Sequence, residues 1–187
     1  MTLDHVSFGY GKTPVITDFS LTLPKIGTIC LFGNSGCGKT TLLRLLAGLE
    51  QPSAGTIERP DVQRIAMVFQ ENRLAPWLTV RQNIELVLPD PDPAVVADCL
   101  AAVSLSDHAD RFPNELSGGM QRRVAIARAL AYGGDLLLLD EPFNGLDEDL
   151  KVKIAAALRQ RFAHCPIVLV THSEKEAALF DAALIHL

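Results

Sequence analysis

Strand-like and helix-like segments alternate along the 187 residues, which predicts one α/β domain around a mostly parallel sheet. Two further observations support that class. The run Leu136-Leu137-Leu138-Leu139 is apolar on both faces and too short for a helix, the pattern of a strand buried inside a parallel sheet. The stretch Gly33-Asn34-Ser35-Gly36-Cys37-Gly38-Lys39-Thr40 is a glycine-rich loop set between a strand and a helix, as in α/β phosphate-binding units.

Each element follows in order. Strand character opens the chain at 3–8 and 18–23, with Gly9, Gly11 and Pro14 as turn signals between them. A third strand, 28–32, enters the glycine loop, and the run TLLRLLAGL after it reads as helix. Short strands are predicted near 56–57 and at 64–69. Helices are predicted at 80–87 and 94–103, separated by Pro89-Asp90-Pro91-Asp92-Pro93, which no helix crosses. This helical insert closes near Phe112 and Pro113. A long helix at 119–131 then places Met120, Val124, Ala127 and Ala131 on one face. Strand 136–140, a helix, strand 167–170, a helix at 174–180 and a last strand complete the order. Residues 1–187 are expected to form one domain with a helical insert over roughly 71–134.

The composition narrows the class. Apolar residues make up 48% and charged residues 21%, enough to fill a core and too apolar for disorder. The formal net charge of −5 argues against a broad nucleic-acid surface, so no nucleic-acid partner is expected. Cys30, Cys37, Cys99 and Cys165 form no CxxC pair, which leaves no disulfide framework or zinc spacing and fits reduced thiols. No basic-then-apolar leader opens the chain, and no apolar run approaches the roughly 20 residues that span a bilayer. A soluble chain that can sit against a membrane protein is expected.

The glycine loop matches G-x-x-x-x-G-K-[ST] at every fixed position. Its glycines let the backbone curl so that successive N–H groups point inward at phosphate oxygens, and the helix N-terminus adds partial positive charge. Lys39 would reach the β and γ phosphates, and the Thr40 hydroxyl would ligate Mg²⁺. The candidate nucleotide contacts run from Gly33 through Thr40 to Thr41. Alone, the loop indicates only a nucleoside triphosphate, because kinases, GTPases and motor ATPases share it.

Downstream, the buried leucines deliver Asp140 and Glu141 to the end of their strand, where ligands bind in open α/β sheets. Asp140 is suited to hold Mg²⁺ and Glu141 to orient and polarise an attacking water. Two surface carboxylates in a turn are the plainer explanation. It leaves unexplained why four leucines lead into an acidic pair downstream of a phosphate loop.

Leu116-Ser117-Gly118-Gly119-Met120-Gln121 lies between these two features, with a helix following it. It resembles LSGGQ, the signature of the ATP-binding cassette (ABC) family, with Met120 at the fifth place. Ser117 can cap that helix, and Gly118 and Gly119 expose N–H groups at its positive end. Other positions resemble the same family in order and spacing. Gln70 is similar to the Q-loop glutamine that contacts Mg²⁺ and senses the partner, and Asn144-Gly145-Leu146-Asp147 to the D-loop. His172 is similar to the switch histidine at the γ-phosphate, and Tyr10 to the aromatic that stacks on adenine.

The resemblance spans nearly the whole chain. It implies the ABC ATPase fold: a P-loop core, an N-terminal antiparallel β subdomain and an inserted α-helical subdomain. It implies ATP and Mg²⁺ as cofactors, with Glu141, His172 and Lys39 as the catalytic set. It also implies a head-to-tail pair with a second copy or a homologous ATPase subunit, each ATP lying between the glycine loop of one and the signature of the other. Integral membrane permease subunits would be the partners that feel this closure, at the cytoplasmic face of a bacterial membrane, with a substrate-binding protein beyond them. The family usually continues well past its switch histidine. With Leu187 the last residue, no C-terminal regulatory domain is expected.

Two rival readings fit the residues less well. A soluble ABC ATPase of DNA repair or translation would carry long insertions or two fused cassettes. A P-loop kinase would lack the signature and need an acceptor site. The run Arg73-Leu74-Ala75-Pro76-Trp77-Leu78-Thr79-Val80, with Asn83 beyond it, resembles nitrate, sulfonate and taurine importers. Trp77, the only tryptophan, admits two readings: an exposed loop residue at a partner surface, or a side chain packed inside the helical insert.

Overall fold

The computed structural model describes Met1–Leu187. In chain order the elements begin with β1 (Thr2–Tyr10), β2 (Thr13–Thr22), β3 (Gly27–Phe32), α1 (Lys39–Ala47), β4 (Ala54–Glu58) and β5 (Ile65–Val68). Helices α2 (Val80–Glu85), α3 (Pro93–Ala102) and α4 (Gly118–Tyr132) follow. The chain ends with β6 (Leu136–Asp140), α5 (Glu148–Arg161), β7 (Pro166–Val170), α6 (Glu174–Ala178) and β8 (Ala183–His186).

Two sheets result. One is antiparallel with strand order β2-β1-β4, and the other has order β5-β6-β7-β3-β8 with every pairing parallel. The buried leucines of β6 serve both faces of the parallel sheet. Leu136 and Leu138 join Leu42, Leu43, Leu45 and Leu46 of α1 and Leu3, Val6 and Phe8 of β1, so α1 is packed into a core shared with the antiparallel sheet. Leu137 and Leu139 face the other layer, with Ile126 and Leu130 of α4 and Leu158 of α5. Alternating side chains along a strand point to opposite faces, so one run of leucines fills two cores. Truncating any of these leucines to alanine would cost about 2–5 kcal/mol.

Local sequence sets the helix ends. Thr79 caps α2 in a reciprocal capping box with Gln82. Asp92 caps α3 and Pro93 is its first residue, so the proline run ends by starting a helix. Asp147 caps α5, which carries Glu148 and Asp149 in its first turn and Arg159 and Arg161 in its last, matching the helix dipole. Gly48 ends α1 in the left-handed conformation, with Leu49 donating back to the Arg44 carbonyl at 2.9 Å.

Several boundaries differ from the sequence expectation; β1, for example, runs to Tyr10 and takes in Gly9, which the sequence marks as a turn. Pro14 is not a turn residue but the second residue of β2, opposite Gly9. Strand β2 is the sheet edge, where a missing N–H is tolerated. Helix α2 stops at Glu85 because the chain turns ahead of Pro89. Helix α6 ends at Ala178, short of the expected Phe180.

The parallel arrangement decides where chemistry can occur. Strands β3, β5, β6 and β7 run the same way, so the segments after Phe32, Val68, Asp140 and Val170 leave from one edge. No helix is long and apolar enough to cross a membrane.

Candidate functional site

A cavity of about 360 Å³ opens at that edge. Its walls bring together Ser35, Gly36, Gly38, Lys39, Thr40 and Thr41 from the glycine loop and α1, Gln70 from the turn after β5, Glu141 from the end of β6, and His172 from the turn after β7. Residues from distant parts of the sequence therefore meet around one space. Val15 of β2 and Val170 of β7 complete the lining. No sequence signal marks them, since a valine in a strand is ordinary.

The loop is built around Lys39. Its ammonium donates to the carbonyls of Gly33 and Asn34, each at 2.8 Å, and lies 3.8 Å from Sγ of Cys37. Gly33 and Asn34 thus act through their carbonyls, as anchors for the lysine. Gly38 caps α1 with φ of 101°, and a side chain there would meet Cδ1 of Ile16 at 2.7 Å. Only glycine meets both demands.

Asp140 is 2% exposed. Burial pushes its carboxyl above the usual range, opposed by a hydrogen bond from the Thr40 side chain; Glu141 adds a further push upward. A hydroxyl, a buried carboxylate and the Gln70 amide form an all-oxygen donor set, the kind that suits Mg²⁺ held by few protein ligands together with phosphates. The donor set therefore fits that ion.

Glu141 is held from two sides. Nε2 of His172 lies 3.1 Å from Oε1, and Asn144 Nδ2 donates to Oε2 at 2.7 Å. The sequence marks Asn144 only as part of the D-loop run; its grip on the carboxylate is visible only in the fold. Glu141 also has φ of 46°, a left-handed backbone that a residue with a Cβ adopts under constraint.

Eight predicted residues are not in the lining of this cavity: Gly33, Asn34, Cys37 and Asp140 belong to the glycine loop and strand end that frame it, and Ser117, Gly118, Gly119 and Tyr10 come from other segments. Ser117 caps α4 by accepting from the Met120 N–H at 3.3 Å, and Ser117 and Gly118 are at the start of that helix, with Gly118 exposed. Gly119 packs so closely on the D-loop that a Cβ would lie 2.7 Å from the Gly145 carbonyl. Within one chain, none of the three lines the Lys39 cavity. Tyr10 also lies outside the lining; its hydroxyl accepts from Arg44 at 3.3 Å and its ring meets Phe8 edge-on.

Trp77 is 75% exposed, so the buried reading of this residue fails. The cause is Asn83, wholly buried in α2. Its amide accepts from the Ala75 N–H and donates to the carbonyls of Ala75, Leu78 and Thr79, fixing a loop that turns the indole outward.

The arrangement can hold a nucleoside triphosphate, neutralise its phosphates and present a carboxylate to water. Comparison with known proteins agrees. Residues 16–144 match the family model described as ABC transporter. The chain is 42% identical to the aliphatic sulfonates import ATP-binding protein SsuB 2 of Agrobacterium fabrum (strain C58 / ATCC 33970), over 95% of this chain and 72% of that one. It is 46% identical to the protein of the same name from Frankia alni, again over 95% and 72%. Among solved structures it resembles the ATP-binding cassette MJ0796 in a dimeric post-hydrolysis state bound to ADP and Pi, with TM-score 0.87 and 29% identity, covering 100% of this chain and 94% of that one. A bacterial Atm1-family ABC exporter with ATP bound superposes with TM-score 0.92 at 25% identity, over 100% of this chain and 36% of the other. The chain therefore belongs to the ABC transporter family, as an ATP-hydrolysing cassette of that fold.

Proposed function

We propose that this cassette drives a bacterial importer of small organic anions of the aliphatic sulfonate type. The observation that carries the reading is the meeting of Lys39, Thr40, Gln70, Glu141 and His172 around one cavity at the ends of parallel strands. The names of the relatives support import over a role in DNA repair or translation, and they supply the cargo class.

In this reading Lys39 leaves its carbonyl anchors for the β and γ phosphates, and the loop N–H groups and the N-terminus of α1 share the negative charge. Tyr10 stacks on adenine. Thr40, Asp140 and Gln70 hold Mg²⁺, which supplies positive charge at the phosphates. Glu141 orients water and accepts its proton. His172 and Asn144 keep that carboxylate aimed, and His172 also meets the γ-phosphate.

Two cassettes work head to tail, so that Ser117, Gly118 and Gly119 of one close over the γ-phosphate held by the other. Dimeric cassettes among the structural relatives support this pairing. Closure is transmitted to membrane permease subunits at the cytoplasmic face, and a substrate-binding protein delivers the solute. An apolar groove of about 280 Å³, lined by Leu49, Phe69, Val87, Ala125 and Tyr132, begins one residue from Gln70 and is the surface we assign to the permease.

The test is physiological. Cells lacking this chain should fail to grow with an aliphatic sulfonate as sole sulfur source, and wild-type chain should restore growth where Lys39→Ala does not. Growth of the deletion strain at wild-type rate on every sulfonate offered would remove the cargo assignment. Rescue by Lys39→Ala would remove the ATPase from the process.

A further inference from the structure

Three backbone turns outside the phosphate loop carry residues of this site, and two of them are tied together. Of those two, one follows β5 and carries Gln70; the other follows β6 and carries Glu141. The side chain of Arg122, from α4, lies between them and is 3% exposed. All five of its N–H protons meet backbone carbonyls. Nη1 donates to Phe69 and, at 3.2 Å, to Gln70. Nη2 donates to Asp140 at 2.5 Å and to Glu141 at 2.6 Å, and Nε donates to Pro142 at 3.0 Å.

Burying a guanidinium is unfavourable unless it is fully partnered. Here burial lowers its pKa, and the charges of Asp140 and Glu141 pull the other way. The gain from the arrangement is at Glu141. Its left-handed peptide needs both ends fixed, and both are: the N–H donates to Val170 at 2.9 Å and the carbonyl accepts from Arg122. A second arginine of the same helix, Arg128, donates to the Arg73 carbonyl at 2.8 Å, so α4 grips both ends of the stretch from Phe69 to Arg73.

We propose that Arg122 is a positioning residue for ATP hydrolysis, one buried guanidinium that ties the turns of Gln70 and Glu141 to α4, the helix capped by Ser117. It does not line the nucleotide cavity and acts through the backbone of residues that do. Any shift of α4 as its N-terminus closes on a facing subunit then moves Glu141 and Gln70 with it. The inference rests on the ATPase reading, with Glu141 as the residue that activates water.

The test measures kcat and MgATP affinity separately, the latter with a fluorescent ATP analogue, on full-length Arg122→Lys, Arg122→Gln and Arg122→Ala. Thermal melting first identifies the variants that fold. In folded variants kcat should fall about tenfold or more while the dissociation constant moves less than about threefold. Lysine should retain more activity than glutamine, because an ammonium keeps the charge but cannot span both turns. A folded variant with kcat within about twofold of wild type overturns the proposal, and so does a loss of kcat matched by an equal loss of affinity. Failure of all three variants to fold would assign Arg122 to stability alone and also overturn it. The parent reading fails differently, as wild-type protein that neither binds nor hydrolyses MgATP, and the proposal then falls with it.

Discussion

Asp140 shows how far a single residue in this site departs from a stability optimum. Its carboxylate ends a strand of leucines and is almost wholly buried, and burial outweighs the Thr40 hydrogen bond and the charges of Arg122 and Arg44 in setting its pKa. A carboxyl whose folded pKa is raised costs stability once pH exceeds that pKa, and the cost vanishes as pH falls below the unfolded value. Asp140→Asn should therefore melt at a higher temperature than wild type at neutral pH without nucleotide. That advantage should shrink as pH falls through the carboxylate range, since wild-type Asp140 then also becomes neutral. Adding MgATP should reverse the order, because a bound cation favours the charged form. Thermal melts across pH, with and without MgATP, check both halves. An Asn variant that melts below wild type in nucleotide-free neutral buffer would show that the hydrogen bond and nearby positive charges outweigh burial. Asp140 and Glu141 are legible in the sequence because the signal is local: an apolar run ending in acids. Arg122 is not. It is one of two adjacent arginines in a helix, and its acceptors lie as far as 53 residues away. Only the fold shows which of the pair turns inward.

At the scale of elements, the strands and helices are readable wherever a local pattern decides them, as for the leucines of β6 or the glycine loop before α1. Boundaries set by tertiary context are not, as at Pro14, which only the edge position of β2 admits into a strand. The loop carrying Trp77 lies between these cases. Its residues suggest both an interface and a core, and the choice depends on Asn83, whose hydrogen bonds to Ala75, Leu78 and Thr79 hold the loop with the indole outward. An exposed indole is almost free to truncate in the isolated chain, whereas at an interface it is a favoured hot spot. Trp77→Ala should leave the melting temperature and ATP binding of the isolated cassette unchanged, and should weaken assembly with the permease by ~2 kcal/mol or more. Melting of the variant beside a permease pull-down measures the two effects. A large drop in melting temperature with assembly intact would return Trp77 to a structural role.

The whole molecule presents an incomplete site. Lys39, Glu141 and His172 line one cavity, while Ser117 and Gly118, at the N-terminus of a 15-residue helix, do not reach it. A positive helix end with exposed glycine N–H groups is suited to an anion, yet the phosphates bound by this chain would lie elsewhere. A second chain, turned head to tail, would resolve the mismatch twice over. Subunit mixing tests it. Ser117→Arg places bulk and positive charge where the γ-phosphate held by the facing chain should dock, and Lys39→Ala removes charge from a chain's own phosphate loop. Each homodimer then has two damaged sites. In a mixed dimer both lesions fall on the same composite site, formed by the Lys39→Ala loop and the Ser117→Arg signature, and the other site is intact. ATP-dependent dimer formation, followed by gel filtration or light scattering, should therefore return on mixing and peak near equal amounts of the two chains. Hydrolysis should recover less than closure if both sites must fire to reopen the pair. Mixtures no better than either variant at any ratio would mean that the site is completed within one chain, and the N-terminus of α4 would need another explanation.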